Sequence, residues 1–190
     1  MAPRLVDAAC DGWPMVAVEQ ASGWTADEAV TRLFAAHYRS LVRLASLLLS
    51  DPHRAEEVTQ DAYVGLHRNW YRLRDTDRAL AYLRQTVVNA SRSVLRHRVV
   101  VDRHAATVRS AGEASAPSAE TGALARLEQD AVLAAVAGLP ARQREALVLR
   151  YYADLSEAEI AETMGCSRGA VKSHTARGVA ALRARMELWT

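Results

Sequence analysis

Two stretches of this 190-residue chain concentrate cationic side chains without the acidic partners that usually accompany them. From Arg78 to Arg109 there are seven arginines (Arg78, Arg84, Arg92, Arg96, Arg98, Arg103 and Arg109) against one acid, Asp102. From Ser167 to Arg185 there are five bases (Arg168, Lys172, Arg177, Arg183 and Arg185) and no acid. The whole chain carries only +2, so this is segregation rather than general basicity. Basic side chains on one face of an element neutralise phosphates, and arginine can also reach guanine edges. Two such segments in a near-neutral chain predict two contacts with a polyanion, the plain alternative being two solvated helix faces. Acids gather elsewhere, as in Glu56, Glu57 and Asp61.

Other chemistries lack their residues. The chain has no phosphate-cradling glycine loop, no GxSxG or HExxH, and no carboxylate pair backed by a histidine; Ser91 and Ser93 have no base at a useful spacing. No enzymatic activity and no cofactor are expected. His53, Glu56, Glu57 and Asp61 spread around a helix instead of lining one side, which argues against a metal site. Cys10 and Cys166 form no CxxC pair, which argues against a zinc module or disulfide framework and fits a reducing compartment. No purely apolar run, the triplet Leu47–Leu49 included, approaches the roughly 18 residues a membrane span needs. With no basic start leading into an apolar core, the expectation is a cytoplasmic protein with no membrane insertion.

The elements that must position the basic residues read as helices. Residues 1–24 show no period and are an unassigned tail. Thr25 and Glu28 have the spacing of a capping box. Val30, Leu33, Phe34, Tyr38, Leu41, Leu44, Ala45 and Leu48 come next at helical intervals. Asp51-Pro52 supplies an N-cap and a first-turn proline for a second helix with Ala55, Val58, Ala62, Leu66 and Trp70 inward. The polar stretch Tyr71–Asp77 reads as a loop. A third helix is expected from about Asp77 to Val101, with Leu80, Leu83, Val87, Ala90 and Val94 on one side. Arg78, Gln85, Asn89, Arg92 and Arg96 fall on the other. That polar face has no acid between Arg78 and Arg98, unlike an ordinary solvated helix.

Small residues, Gly and Pro fill Ser110–Gly122, so residues 102–123 read as a flexible linker between a helical domain at 25–101 and another at 124–190. In the second, helices are expected over 124–137 and Ala141–Tyr152, with Ala146, Leu147, Leu149 and Tyr151 available for a core. A short helix runs from a second capping box, Ser156 with Glu159, to Met164, and a last one from Ser167 to about Leu188. No segment alternates with period two. The expected fold is all-α: two small helical domains joined by a flexible linker.

Ser156–Ala176 meets the steric requirements of a helix-turn-helix. Ala161 is small where the helices cross, Gly165 can take the positive φ of the turn, and Val171 fills the joint above Ile160. With Val171 inward, Thr175, Gly178 and Leu182 share its side. Gly169, Lys172, Ser173, Ala176 and Arg177 face outward, short residues flanked by bases that let a helix approach a major groove closely.

These residues carry a resemblance to a family. The chain resembles a small alternative bacterial sigma factor of the extracytoplasmic-function type, over about Ala29–Val101 and Leu124–Arg185. Leu139–Tyr152, Leu155–Gly165 and Gly169–Ser173 look like the family's fourth conserved region. Ala55–Tyr63 and Ala81–Asn89 with the arginines after them look like its second. The resemblance implies binding to RNA polymerase core, through its beta and beta-prime subunits, by Glu57, Gln60 and Asp61. It implies −35 promoter DNA contacts from Arg168, Lys172, Ser173, Ala176 and Arg177. For the −10 element and its melting it implies Trp70, Arg74, Arg78, Tyr82, Arg84, Gln85, Asn89, Arg92 and Arg96, with Trp70 also on the buried spacing of its helix and Arg84 also placed for a structural ion pair. An anti-sigma factor is a further implied partner. A stand-alone helix-turn-helix regulator with an N-terminal effector or dimerisation domain is the alternative.

Overall fold

The computed structural model describes residues 23–73, 75, 78–106 and 132–187, the outer turns 99–106 and 186–187 as backbone only. The tail expected at 1–24 (all but its last two residues), most of the 102–123 linker, the start of the fourth helix and Arg74 lie outside the described residues. Every regular element among the described residues is helical: α1 (Ala26–Leu49), α2 (Pro52–Asn69), α3 (Ala79–Ala106), α4 (132–137), α5 (Ala141–Leu147), α6 (Glu157–Met164) and α7 (Arg168–Glu187).

The helix starts are where the side chains can cap them. Thr25 Oγ1 accepts from the Glu28 N–H at 3.3 Å, while the Glu28 carboxylate accepts from the Thr25 N–H at 2.9 Å. Those bonds hold the Glu28 carboxyl below its usual range. α1 stops at Ser50, whose left-handed backbone (φ 54°) returns its N–H to Ser46 O. Asp51 then caps α2, accepting from the Arg54 N–H at 3.2 Å, with Pro52 in the first turn. The two-residue connection folds α2 back on α1, and Leu33, Leu41, Leu44, Ala45 and Leu48 bury against Ala55, Val58, Ala62 and Leu66.

Three local expectations need correction. The segment Tyr71–Asp77 is not all loop: Trp70–Arg72 closes a 3-10 turn, with Leu73 N–H bonded to Trp70 O. α3 runs to Ala106, past the expected end at Val101, because nothing in that stretch breaks a helix. The expected helix Ala141–Tyr152 changes type: after α5, Val148–Tyr152 is a π-turn, with the Ala153 N–H on Val148 O. A π-turn holds one residue more than the α-turn it replaces, so the side chains beyond it are rotated by about 100°. Tyr151, expected in the core, is 51% exposed, and Tyr152 is buried instead, at 8%.

The two helical units share one core. α1 packs on α5 and the π-turn, and α3 packs on α6. One apolar cluster runs from Leu48 and Val88 through to Ala146, Leu149, Ile160 and Met164. Polar groups cross the seam: the Tyr152 hydroxyl donates to Ser40 O at 3.1 Å. The Arg144 guanidinium donates to Leu48 O at 2.7 Å while also holding the carbonyls of Ala137 and Leu139. Leu48 and Ala137 lie at helix C-termini, where backbone carbonyls lack intrahelical donors and attract a cation.

Candidate nucleic-acid interface

α6 and α7 form the expected helix-turn-helix. Ser156 Oγ accepts from the Glu159 N–H at 3.3 Å, and the Glu159 carboxylate accepts from the Ser156 N–H at 2.9 Å. These bonds to Ser156, and then the Arg84 charge, pull the Glu159 carboxyl below its ordinary value. Gly165 ends α6 at φ 62°, a left-handed conformation that costs glycine little. Ser167 Oγ accepts from the Ala170 N–H at 3.2 Å and starts α7. Ile160, Met164 and Val171 are buried in the joint. Gly178 lets α7 cross α5 closely: a Cβ there would lie 2.8 Å from Leu147 Cδ1.

The outward face of α7 carries Arg168, Gly169, Lys172, Ala176 and Arg177 exposed, with Ser173 half-buried. Lys172 Nζ lies 3.6 Å from Glu157 Oε2, a pair exposed on both sides. Such pairs are worth about 0–1 kcal/mol, so this one gives way readily to a phosphate.

On α3 and just before it, Arg78, Gln85, Asn89 and Arg96 are exposed, and Tyr82 and Arg84 half-buried. Burial lowers the Arg84 pKa, and Glu159 on α6 opposes that shift. The expectation of an open polar face holds for only part of this helix. Arg92 lies under the C-terminal unit: its Nε donates to both Glu145 carboxylate oxygens, at 3.0 and 3.1 Å, and its Nη1 to Asn89 Oδ1 at 2.9 Å. Arg78 bonds Glu162 on α6 at 3.0 Å. A wheel drawn for one helix cannot show this, because the carboxylates come from residues 53 and 84 positions away in sequence. Val88 and Ser91, outside the expected stripe, are buried on the same side.

Trp70 is buried at 3% and its Nε1 donates to Trp24 O at 3.0 Å. In this conformation it is a packing residue that ties the end of α2 to the segment before α1, and it presents no face to an unpaired base.

The acidic surface of α2 is exposed. Glu57 pairs with Arg54 at 2.8 Å, Gln60 Nε2 reaches the Tyr38 hydroxyl at 3.5 Å, and Asp61 is open to solvent. Sequence reasoning missed the apolar side chains beside them. Phe34, 44% exposed, stacks on Tyr38 at 4.2 Å, and Val64 is also exposed. Phe34 lies one residue beyond Leu33, and only the packing of α2 shows that it stands at the edge of the buried arc.

A helix-turn-helix joined in one all-helical chain to a second, arginine-rich helix is the arrangement of a two-unit DNA-binding transcription factor. Residues 33–99 match the family described as Sigma-70 region 2, and residues 129–182 match Sigma-70, region 4. The ECF RNA polymerase sigma factor SigM of Mycobacterium tuberculosis is 34% identical over 155 residues, 81% of this chain and 75% of that one. The RNA polymerase sigma-E factor of Streptomyces avermitilis is 28% identical over 148 residues, 78% and 79% of the two chains. In fold, the chain resembles the sigma factor RpoE of Bartonella quintana, solved with the anti-sigma factor NepR. The TM-score is 0.67 at 24% identity, over 83% of this chain and 96% of that one. CnrH, solved with the cytosolic domain of CnrY, gives 0.62 at 24% identity over 87% and 96%. This chain belongs to the extracytoplasmic-function RNA polymerase sigma factors and is an alternative sigma factor for promoter recognition. The stand-alone regulator is not favoured, because both sigma regions match in order.

Proposed function

We propose that the two units divide the promoter between them once the protein is bound to RNA polymerase core. The C-terminal unit reads the −35 element through α7, with Arg168, Lys172, Ser173, Ala176 and Arg177 at the DNA. The N-terminal unit recognises and melts the −10 element through α3 and the preceding loop. Arg78, Gln85, Asn89, Arg92 and Arg96 hold the strand there, and Arg74, Tyr82 and Arg84 flank it. Trp70 supports the loop from within. Melting on this reading draws on binding energy alone, so the protein is a transcription initiation factor without covalent chemistry of its own. The observation that carries the proposal is a helix-turn-helix with a solvent-facing basic helix, in one chain with a second basic helix whose polar face lacks acids. A stand-alone regulator would need only the first.

Glu57, Gln60 and Asp61 on α2, with Phe34 and Val64 beside them, form the surface for core. An exposed apolar centre with a charged rim is what a partner of opposite charge can desolvate. The proposed site of action is the cytoplasm, where the polymerase is; no described helix is long and apolar enough to cross a membrane. An anti-sigma protein is proposed as a second protein partner. The test is assembly with core: the chain should co-elute with it and enrich a defined set of promoter fragments from its own genome. Failure to co-elute with core would refute the proposal.

A further inference from the structure

Arg185 is the last base of the acid-free segment that begins at Ser167, yet its guanidinium is engaged inside the C-terminal unit. Its Nη1 donates to Ala135 O at 3.1 Å and its Nη2 to Gly138 O at 2.9 Å. Both carbonyls belong to the end of α4. The helical donor for Ala135 O would be the Leu139 N–H, but that group turns to Val136 O at 3.1 Å. Carbonyls freed at a helix C-terminus attract a cation, and a guanidinium takes two of them with its planar fork. Gly138 keeps the seat open. A Cβ on residue 138 would stand 2.7 Å from Arg185 Cζ and 2.9 Å from Nη2, and closer still to Nη1. Its backbone is not left-handed, so the glycine is needed for space alone. Arg144 of α5 holds the carbonyls of Ala137 and Leu139, so two guanidiniums share this turn.

α7 needs a hold at that end. It has 20 residues and is about 30 Å long. Its first half is fixed by Val171 in the joint with α6 and by the crossing on α5 at Gly178. Beyond Gly178, Leu182 is the one buried side chain among the described residues, in a small cluster with Ala135, Leu139 and Leu147. A helix turning as a rod about Gly178 would carry Lys172 and Arg177 with it. We propose that Arg185 is a positioning residue for −35 recognition: by clasping the end of α4 at Gly138 it fixes the tilt of α7, and so the placement of Arg168, Lys172 and Arg177 on the duplex, without touching DNA itself. The inference rests on the assignment of α7 to the −35 element. It takes Arg185 out of the polyanion-binding set in which its place in a run of bases puts it.

The test is binding of holoenzyme to duplex promoter DNA, read by fluorescence anisotropy across salt concentrations, for Arg185→Ala, Gly138→Ala, the double variant and Arg185→Lys. Arg185→Ala removes the clasp, whereas Gly138→Ala fills its seat and leaves the charge in place. Each should weaken binding about threefold to tenfold, because apparent affinity falls with the fraction of chains whose α7 is in the binding pose. The salt slope should match wild type, since no phosphate contact is lost. The double variant should bind no more weakly than Arg185→Ala, because the clasp can be lost only once. Arg185→Lys, whose ammonium reaches the same carbonyls without the fork, should recover part of the affinity. Should circular dichroism show either alanine variant to be unfolded, the other carries the comparison with Arg185→Lys. A salt slope lower by about one unit in Arg185→Ala, with Gly138→Ala binding as wild type, would make Arg185 a phosphate contact and overturn the proposal. Unchanged affinity in the folded variants, or losses that add in the double variant, would overturn it too. Lys172→Ala and Arg177→Ala separate this from an error in the underlying assignment: if both also leave duplex binding unchanged, the −35 assignment of α7 itself fails.

Discussion

The angle at which α7 is presented to DNA depends on how closely it crosses α5, and Gly178 sets that distance. An added Cβ would meet Leu147 Cδ1 at 2.8 Å, Leu147 Cγ at 3.0 Å and Gln143 O at 3.4 Å. Carbon atoms normally settle about 3.5–4.0 Å apart, so either Leu147 or the helix must retreat by most of an ångström. Overpacking of this kind costs about 1–3 kcal/mol. Alanine in a helix interior recovers about 1 kcal/mol over glycine. Gly178→Ala should therefore destabilise by about 0–2 kcal/mol, the difference of those two figures. Leu147 is buried beneath it, and Leu147→Ala alone should cost about 2–5 kcal/mol through the cavity it leaves. In the double variant the clash has no object, so the alanine at 178 should become favourable. The two changes should then couple by about 1–3 kcal/mol. Urea unfolding of the four proteins, tracked by far-ultraviolet circular dichroism, gives the cycle directly. If the two effects add within about 0.5 kcal/mol, or Gly178→Ala alone stabilises, the close crossing does not govern the packing of α7.

The exposed faces and the buried His37 give three more outcomes. Arg177→Ala should weaken binding of holoenzyme to duplex promoter by about 1–3 kcal/mol if the side chain reads a base, with preference relaxed at one base pair. If it holds a phosphate, binding to all sequences should weaken and the salt slope fall by about one unit; affinity across salt concentrations distinguishes these, and no change removes Arg177 from the interface. Glu57→Arg and Asp61→Arg sit on exposed positions of α2 and should reduce affinity for core while the urea midpoint stays put; unchanged core affinity in both would make them ordinary solvated side chains. Burial, with the Arg84 charge second, lowers the pKa of His37 from 6.5. Its neutral form is therefore the folded one, so its contribution is complete above pH 6.5 and is lost as pH falls through the depressed folded value. His37→Gln should flatten the stability profile just below pH 6.5, and an unaltered slope in titrated urea melts would contradict this.

Much of the fold is legible in local chemistry, because caps and turns are decided within a few residues. Thr25 with Glu28, Asp51 with Pro52, and Ser156 with Glu159 each satisfy orphan helix N–H groups where the spacing said they would. Gly165 takes the positive φ that the turn requires. The π-turn at Val148–Tyr152 has no such local signature, and it moves the tyrosine that enters the core by one residue. The outward faces of α7 and α2 are likewise readable, since no other described element covers them. The face of α3 was only partly so. Arg92 reads as solvent-facing on a helical wheel, yet its guanidinium meets Glu145, a carboxylate far away in the chain. Trp70 had two readings, and its burial and its bond to Trp24 O in this conformation fit the packing one.

The most direct measurement of the central claim is run-off transcription with purified core polymerase, the intact chain and promoter fragments from its own genome. The account predicts transcripts from discrete start sites only when the chain is present, and their loss when either the −35 or the −10 sequence of those fragments is scrambled. Initiation that is absent with the chain added, or that is unaffected by scrambling both elements, would contradict it.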